Sequence, residues 1–238
     1  HCPRLYELEV RRGLPGGAPA FPDRSTAGRL DARELGTVVH RLLQLVGSGG
    51  REALDRWVPE QATMLRLDTH LDRRAVAHIP QIREQVRRFV DSELYAELFG
   101  AGYYLRSEAL LAARLMVGEQ PAIVEGRVDA LLEDRATPAW HLLDYKTGEA
   151  DPTREAQYRV QLGLYCQAVQ QATGLLPATA RLLYLNRSGL QVVALEVASL
   201  AAEAMAAAQA AITGIWRREF PRRPGQCDYC PGRDLCRT

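Results

Sequence analysis

The chain of 238 residues carries 30 Lys and Arg side chains, and a single one of them, Lys146, is lysine. It stands in Asp144-Tyr145-Lys146-Thr147-Gly148. A surface lysine is readily exchanged for arginine. A site that needs a compact, rotatable ammonium is not, because the guanidinium is broad, planar and forked. Lys146 is therefore the first candidate for chemistry; the alternative is a chance survivor on the surface. Residues two apart on a strand share a face, so Asp144 and Lys146 project together. Asp129, in Gly126-Arg127-Val128-Asp129, falls on the preceding strand. If the two strands pair, both carboxylates converge on one divalent cation such as Mg²⁺, a hard ion that takes oxygen ligands and keeps several waters. Lys146 beside them would orient a water or stabilise charge on a phosphate, the layout for metal-assisted phosphodiester hydrolysis. An isolated Asp-x-Lys reads first as a solvated ion pair. Three features set this one apart: Asp129 one strand earlier, the sharp strand end at Thr147-Gly148, and Gln161-Leu162-Gly163-Leu164-Tyr165 on the next helix.

A second cluster lies at the C-terminus. Cys227, Cys230 and Cys236 form C-x₂-C-x₅-C, a spacing that points to a metal or cluster held by thiolates. A fourth ligand is required, and Cys2 is the natural choice. Cys166 sits among Leu162, Leu164 and Val169 on a helix and reads as a small buried thiol. The spacing leaves zinc and an iron–sulfur cluster both open.

The elements that must position these groups are legible. A loop rich in Gly, Pro and Arg covers 11 to 30. A helix follows from Asp31, with Leu35, Val38, Val39, Leu42, Leu43 and Val46 at helical spacing, ended by Gly47-Ser48-Gly49-Gly50. Residues 51 to 100 read as mostly helical. Strands are predicted over 103–116, 122–132 and 140–146 as an antiparallel meander, with a turn at Gly118 to Pro121. A helix capped by Thr153 runs to about Thr173. Two strands, 179–186 and 190–197, and an Ala-rich helix over 199–218 complete the chain.

In this arrangement the sequence resembles the RecB-like branch of the PD-(D/E)XK nucleases. The residues that carry the resemblance are Gly126-x-x-Asp129, Asp144-x-Lys146-Thr147-Gly148 and Gln161-x-x-x-Tyr165, with Gly36-x-x-x-His40-x-x-Leu43 upstream. The resemblance implies an α/β, restriction-endonuclease-like core: helix, three-stranded antiparallel meander, helix, strand. It implies one domain over 1–238, with 48–100 a helical insertion and 219–238 plus the N-terminus forming a cluster-binding staple. His40, Asp129 and Asp144 would hold Mg²⁺ or Mn²⁺, helped by the backbone carbonyl of Tyr145. Lys146 would be the catalytic lysine. Gln161 and Tyr165, with Tyr158 as an accessory, would approach the DNA or the catalytic groups. Glu108 on the first strand is a weaker candidate, equally readable as a solvated strand Glu. Gln44 stands where many relatives carry Glu. For Cys2, Cys227, Cys230 and Cys236 the resemblance favours a [4Fe–4S] cluster over zinc.

The implied activity is a metal-dependent DNA exonuclease acting on single-stranded or unwound ends, in repair of double-strand breaks by recombination. A P-loop requires Gly-Lys-Ser/Thr, and Tyr145 precedes the single lysine, so no P-loop is present. A helicase motor is expected on the same longer polypeptide, which the His1-Cys2-Pro3 start suits, or on a partner subunit. The rival readings are a catalytically silent DNA-binding scaffold, a free-standing CRISPR-associated-type exonuclease and a zinc-stabilised interaction module. The net charge of +1 confines any DNA surface to a local basic patch. Arg73-Arg74, Arg87-Arg88, Arg217-Arg218 and Arg222-Arg223 are the candidates, each equally readable as a solvated face. No apolar run reaches the length of a membrane span and no signal peptide is seen, so a cytoplasmic protein without a membrane partner is expected.

Overall fold

The computed structural model describes residues 2–12, 32–56, 69–100, 102–186, 189–222 and 236. The chain divides into two compact units, Gly28–Ala206 and His1–Ala27 with Ala207–Thr238.

The larger unit is built on a five-stranded sheet in the order β1-β2-β3-β4-β5. Strands β1 (Tyr103–Val117), β2 (Gln120–Asp134) and β3 (Trp140–Thr147) form the expected antiparallel meander. The β1–β2 turn is tighter than the sequence suggests: Val117 pairs with Gln120 across two residues. Gly118, at φ 61, supplies the positive φ that so short a hairpin demands. β4 (Thr179–Leu185) lies parallel to β3, which requires a crossover, and α5 (Pro152–Thr173) provides it. β5 (Leu190–Leu195) returns antiparallel to β4. α5 begins at Pro152, so Thr153 lies inside the helix and is not its N-cap. The Arg154 and Glu155 N–H groups donate to the Asp151 carbonyl instead, and Pro at the first helical position has no N–H to leave unpaired.

Two apolar clusters sandwich the sheet. On one face, α2 (Ala32–Arg56) and α3 (Thr69–Val90) bury Val38, Val39, Leu42, Leu43, Val46, Ile82, Val86 and Phe89 against Ala130, Leu132, Leu143, Tyr145 and Leu183. The α2 residues are those the periodicity marks as core. The Gly run ends the regular helix at Gly50, which is non-helical at φ 60 and ψ −155. Short α4 (Glu93–Leu98) is capped by Ser92, whose hydroxyl accepts from the Tyr95 N–H at 3.2 Å. On the other face, α5 and the start of α6 (Val197–Trp216) bury Leu162, Cys166, Val169, Leu200 and Ala201 against Val128, Leu142, Leu182 and Tyr184. Cys166 is fully buried, and burial pushes its thiol up to about 12, so it is a packing residue.

α5 is held to the edge strand by a two-way amide clamp. The Arg114 N–H donates to Gln171 Oε1 at 2.8 Å, and Gln171 Nε2 donates to the Arg114 carbonyl at 2.7 Å. This satisfies backbone groups that an edge strand leaves open.

In the smaller unit α1 (Pro3–Tyr6) runs into a π-helical turn, Glu7–Arg11. Tyr6 stacks on Phe220 at 6.2 Å between ring centroids, and Arg11 lies over the Phe220 ring at 5.3 Å. A cavity of about 620 Å³ is lined by Cys2, Tyr6, Ala211, Gly214 and Phe220 among others. Cys2 and Cys236 are half-buried and neither is in a disulfide. Cys227 and Cys230 lie outside the described residues, as does most of the 11–30 loop.

A second expectation, that no apolar run reaches the length of a span, is corrected. α6 is long and apolar enough, by length and composition, to pass for a membrane span. Its apolar character comes from alanine, which single-residue inspection underrates, and Glu203 is its lone charge. Gly163 of α5 marks the close approach of the two helices: a Cβ there would strike the Leu200 carbonyl and the Ala204 Cβ. Gly163→Ala is expected to lower the unfolding free energy by about 2 kcal/mol, because backbone must move to admit the methyl. Urea denaturation compared with wild type measures this; unchanged stability would show that the helices separate freely.

Candidate active site

The site lies where β2 and β3 part. Their ladder runs from Glu133↔Trp140 to Ala130↔Leu143, and the next pair would be Asp129 opposite Asp144. There the ladder stops. The Asp129 carboxylate takes over from it: Oδ2 accepts the Tyr145 N–H at 2.6 Å. The register thus places Asp129 and Asp144 opposite each other at the mouth of a gap between the strands.

A second irregularity coincides with the first. In the β1–β2 ladder, Ser107 pairs with Ala130 and Ala109 with Val128, but the intervening Glu108 and Asp129 form no pair. Regular alternation would place Val128 and Ala130 on one face. They lie in opposite clusters, Val128 with α5 and Ala130 with α2. Leu105 and Ala109 divide in the same way. Both strands therefore change face at this one step, without losing register. Glu108 carries the strain, with a φ of 52 that a residue bearing a Cβ rarely adopts.

The consequence is a cluster of donors. Atoms of His40, Glu108 and Asp129 able to ligate a metal lie within 4.8 Å of one another. His40 Nδ1 is 3.1 Å from Asp129 Oδ1. α2 brings His40 in because Gly36, one turn earlier, sits against β3: a Cβ there would lie 3.2 Å from Thr147 Oγ1. The His40 ring meets the Tyr145 ring edge-on at 6.1 Å. Asp144 stands outside this triad. Its side chain is 2% exposed and forms an ion pair with Lys146. The ion pair is made at its buried Oδ2.

Electrostatics follow from this crowding. Burial, then repulsion from Asp129, raise the Asp144 carboxyl to about 6, against the opposing pull of Lys146. For His40, burial disfavours the imidazolium, but the hydrogen bond to Asp129 and the charges of Asp129 and Asp144 outweigh it and raise its pKa. The site thus holds surplus negative charge that a cation would relieve.

The α5 side supplies the remaining groups. Gln161 Nε2 donates to the Tyr165 hydroxyl at 2.9 Å, which donates to the Arg127 carbonyl at 2.6 Å. Gly126 makes this possible, since a Cβ there would lie 2.7 Å from the Tyr165 ring. Gly126 and Tyr165 of the two motifs are thus in contact. Lys146 Nζ lies 4.1 Å from the centroid of the Tyr158 ring. Gln44, one turn after His40 on α2, accepts a hydrogen bond from Arg41.

Glu108, the weaker candidate from the sequence, is brought beside His40 and Asp129. The signal for it was absent, because a face change in mid-strand leaves no mark in the alternation of a strand whose register is unknown. Of the basic pairs, Arg87 and Arg88 are tied to Glu84, and Arg87 also to Asp91, as a solvated face would be. The side chains of Arg73 and Arg74, and Arg223, lie outside the described residues.

The folded chain holds the Asp144 proton more tightly than the unfolded chain does, because its pKa is raised from 3.8 to about 6. Stability contributed by this group is greatest below the lower value and falls as the pH rises through that window. In chelator, the unfolding free energy of Asp144→Asn should gain on that of wild type by on the order of 2 kcal/mol between about pH 4 and pH 7. A difference that stays constant across that range would show that Asp144 is not strained.

Comparison with known proteins gives concordant results. A segment of 168 residues is 24% identical to an ATP-dependent helicase/nuclease subunit of Listeria welshimeri, covering 61% of this chain and 13% of that protein. Its counterpart in a Listeria monocytogenes strain is 25% identical over 177 residues, or 66% of this chain and 14% of the relative. The chain therefore spans about an eighth of the length of these relatives. The crystal structure of a presumed exonuclease from Eubacterium rectale shares the fold, with a TM-score of 0.55 and 16% identity over 99% of this chain and 80% of that one. The family model of the PD-(D/E)XK nuclease superfamily matches residues 1–237, and the chain belongs to that superfamily.

Proposed function

We propose that this chain is a Mg²⁺- or Mn²⁺-dependent deoxyribonuclease that hydrolyses phosphodiester bonds at single-stranded or unwound DNA ends. The observation that carries the reading is the donor cluster of His40, Glu108 and Asp129, with Asp144 and Lys146 beside it. The donor set fits such an ion: carboxylate oxygens and one imidazole whose ligating atoms lie within 4.8 Å of one another, with the buried Asp144 carboxylate beside them. His40, Asp129 and Asp144 would hold it, with Glu108 as a further oxygen donor and the Tyr145 carbonyl at the strand end. When bound, the ion supplies Lewis acidity and a water of lowered pKa.

The protein's own groups supply the rest. Lys146 would place a positive charge where negative charge builds on the phosphate, and at 16% exposure it is weakly screened. Asp129 spans the gap between strands: one oxygen is fixed by the Tyr145 N–H and the other is left toward His40. Gln161 and Tyr165 tie α5 to the strand that carries Asp129, which holds the two halves of the site at a constant separation.

The helicase/nuclease relatives support a place beside a DNA-unwinding motor, on the same polypeptide or on a partner, in double-strand-break repair in the cytoplasm. The cysteines would form a structural [4Fe–4S] staple. Cys2 and Cys236 fall in one compact unit and both are free of disulfides, as that requires. A catalytically silent scaffold is the second reading. The intact acidic group and its single lysine favour the enzyme.

Linear single-stranded and duplex DNA, incubated with Mg²⁺ or Mn²⁺, tests the proposal. Wild type should cleave, and Lys146→Ala should cleave at least about a hundredfold more slowly. Equal rates would place the chemistry elsewhere. Absence of cleavage with retained DNA binding would support the scaffold. For the staple, Cys2→Ala prepared anaerobically should lose iron and melt earlier. Unchanged iron content and melting would remove Cys2 from the ligand set.

A further inference from the structure

Lys146 is shared between two partners of different kinds. One is Asp144, the buried carboxylate with which it forms an ion pair. The other is the ring of Tyr158, whose centroid is 4.1 Å from Nζ. An ammonium at that distance over an aromatic face is attracted by the ring quadrupole, the more so where water is scarce. Tyr158 is well placed to act as a fixed seat. It is half-buried, its ring packs against the apolar cluster under α5, and it stands one turn before Gln161. On the sheet, Lys146 is in register with Tyr184, a fully buried neighbour.

The two partners differ in what else is asked of them. Under the function proposed above, on which this inference rests, Asp144 is also a metal ligand. Its negative charge then serves two cations, and its hold on Lys146 weakens when it is engaged. The Tyr158 ring carries no such second duty. We infer that Tyr158 is the positioning residue for the catalytic lysine: its ring face, not its hydroxyl, keeps the Lys146 ammonium in place when Asp144 is committed to a divalent cation.

The single lysine makes the test direct. Protein labelled with ¹³C at lysine Cε gives one signal, that of Lys146. Protons held over an aromatic face are shifted upfield, so the wild-type signal should lie upfield of an exposed lysine and stay there when Mg²⁺ is added. Tyr158→Phe should keep that shift, and Tyr158→Leu should abolish it. In DNA cleavage, Tyr158→Leu should lose about tenfold in kcat with KM within about twofold of wild type, and Tyr158→Phe should recover most of the loss. If the leucine variant fails to fold, Tyr158→Met fills the space without an aromatic face and should behave as leucine does.

An unshifted wild-type signal, or one that moves to the exposed position on adding Mg²⁺, overturns the proposal. A folded leucine variant with wild-type kcat does so too, as does one in which KM alone rises, which would place Tyr158 against DNA instead. Phenylalanine behaving like leucine would make the hydroxyl the active part and also overturn it. The spectroscopic arm needs no catalysis, so a chain that failed to cleave DNA would defeat the nuclease reading while the seat itself was still being measured.

Discussion

The strand gap at Asp129 is the constraint on which the site depends. A sheet in which β2 and β3 stayed paired would spend the Tyr145 N–H on the ladder and turn alternate side chains to opposite faces. Here the Asp129 carboxylate accepts that N–H at 2.6 Å, so the ladder ends without leaving a buried donor unpaired. The same step is where β1 and β2 change face, with Glu108 strained at φ 52. Strain of this kind costs about 1–3 kcal/mol and persists only when the surroundings impose it. The long hairpin on one side and the two apolar clusters on the other provide that imposition.

Placing the donors in the plane of the sheet lets both helical layers reach them. His40 comes from α2 on one face, and Tyr158, Gln161 and Tyr165 come from α5 on the other. Two glycines set the distances: Gly36 admits α2 to the end of β3, and Gly126 admits the Tyr165 ring to the strand of Asp129. Each is a place where the absence of a Cβ is used for close approach. The motif glycines are thus spacers for the helices, although they touch no reacting group.

Charge is concentrated where it is costly. Asp144 is buried beside Asp129, and its raised pKa measures the cost of holding it ionised there. Lys146 offsets part of that cost, and its own location between a carboxylate and an aromatic face is the reverse side of the same arrangement. Arginine would present a different group at this position. Its guanidinium is a wide planar fork, whereas the lysine ammonium is a compact charge with three rotatable donors.

The sequence by itself determined the elements and the chemical inventory. Helical periodicity in α2, alternating strands, turn glycines and the motif spacings are local properties, set by backbone geometry within a few residues, and they were legible. Asp129, Asp144, Lys146, His40, Gln161 and Tyr165 could be named because each belongs to such a pattern. What only the tertiary structure decided is how these groups meet. Glu108 joins His40 and Asp129 because two strands change face together, and no one-strand pattern records that. α5 starts at Pro152, ahead of Thr153, with the Asp151 carbonyl accepting the first helical N–H groups. The ring of Tyr158 faces Lys146 because the β3–α5–β4 crossover folds the helix back over its own strand. These are contacts between residues far apart along the chain, or choices among competing local partners. Packing of the whole domain selects them, and spacing along the chain does not encode them.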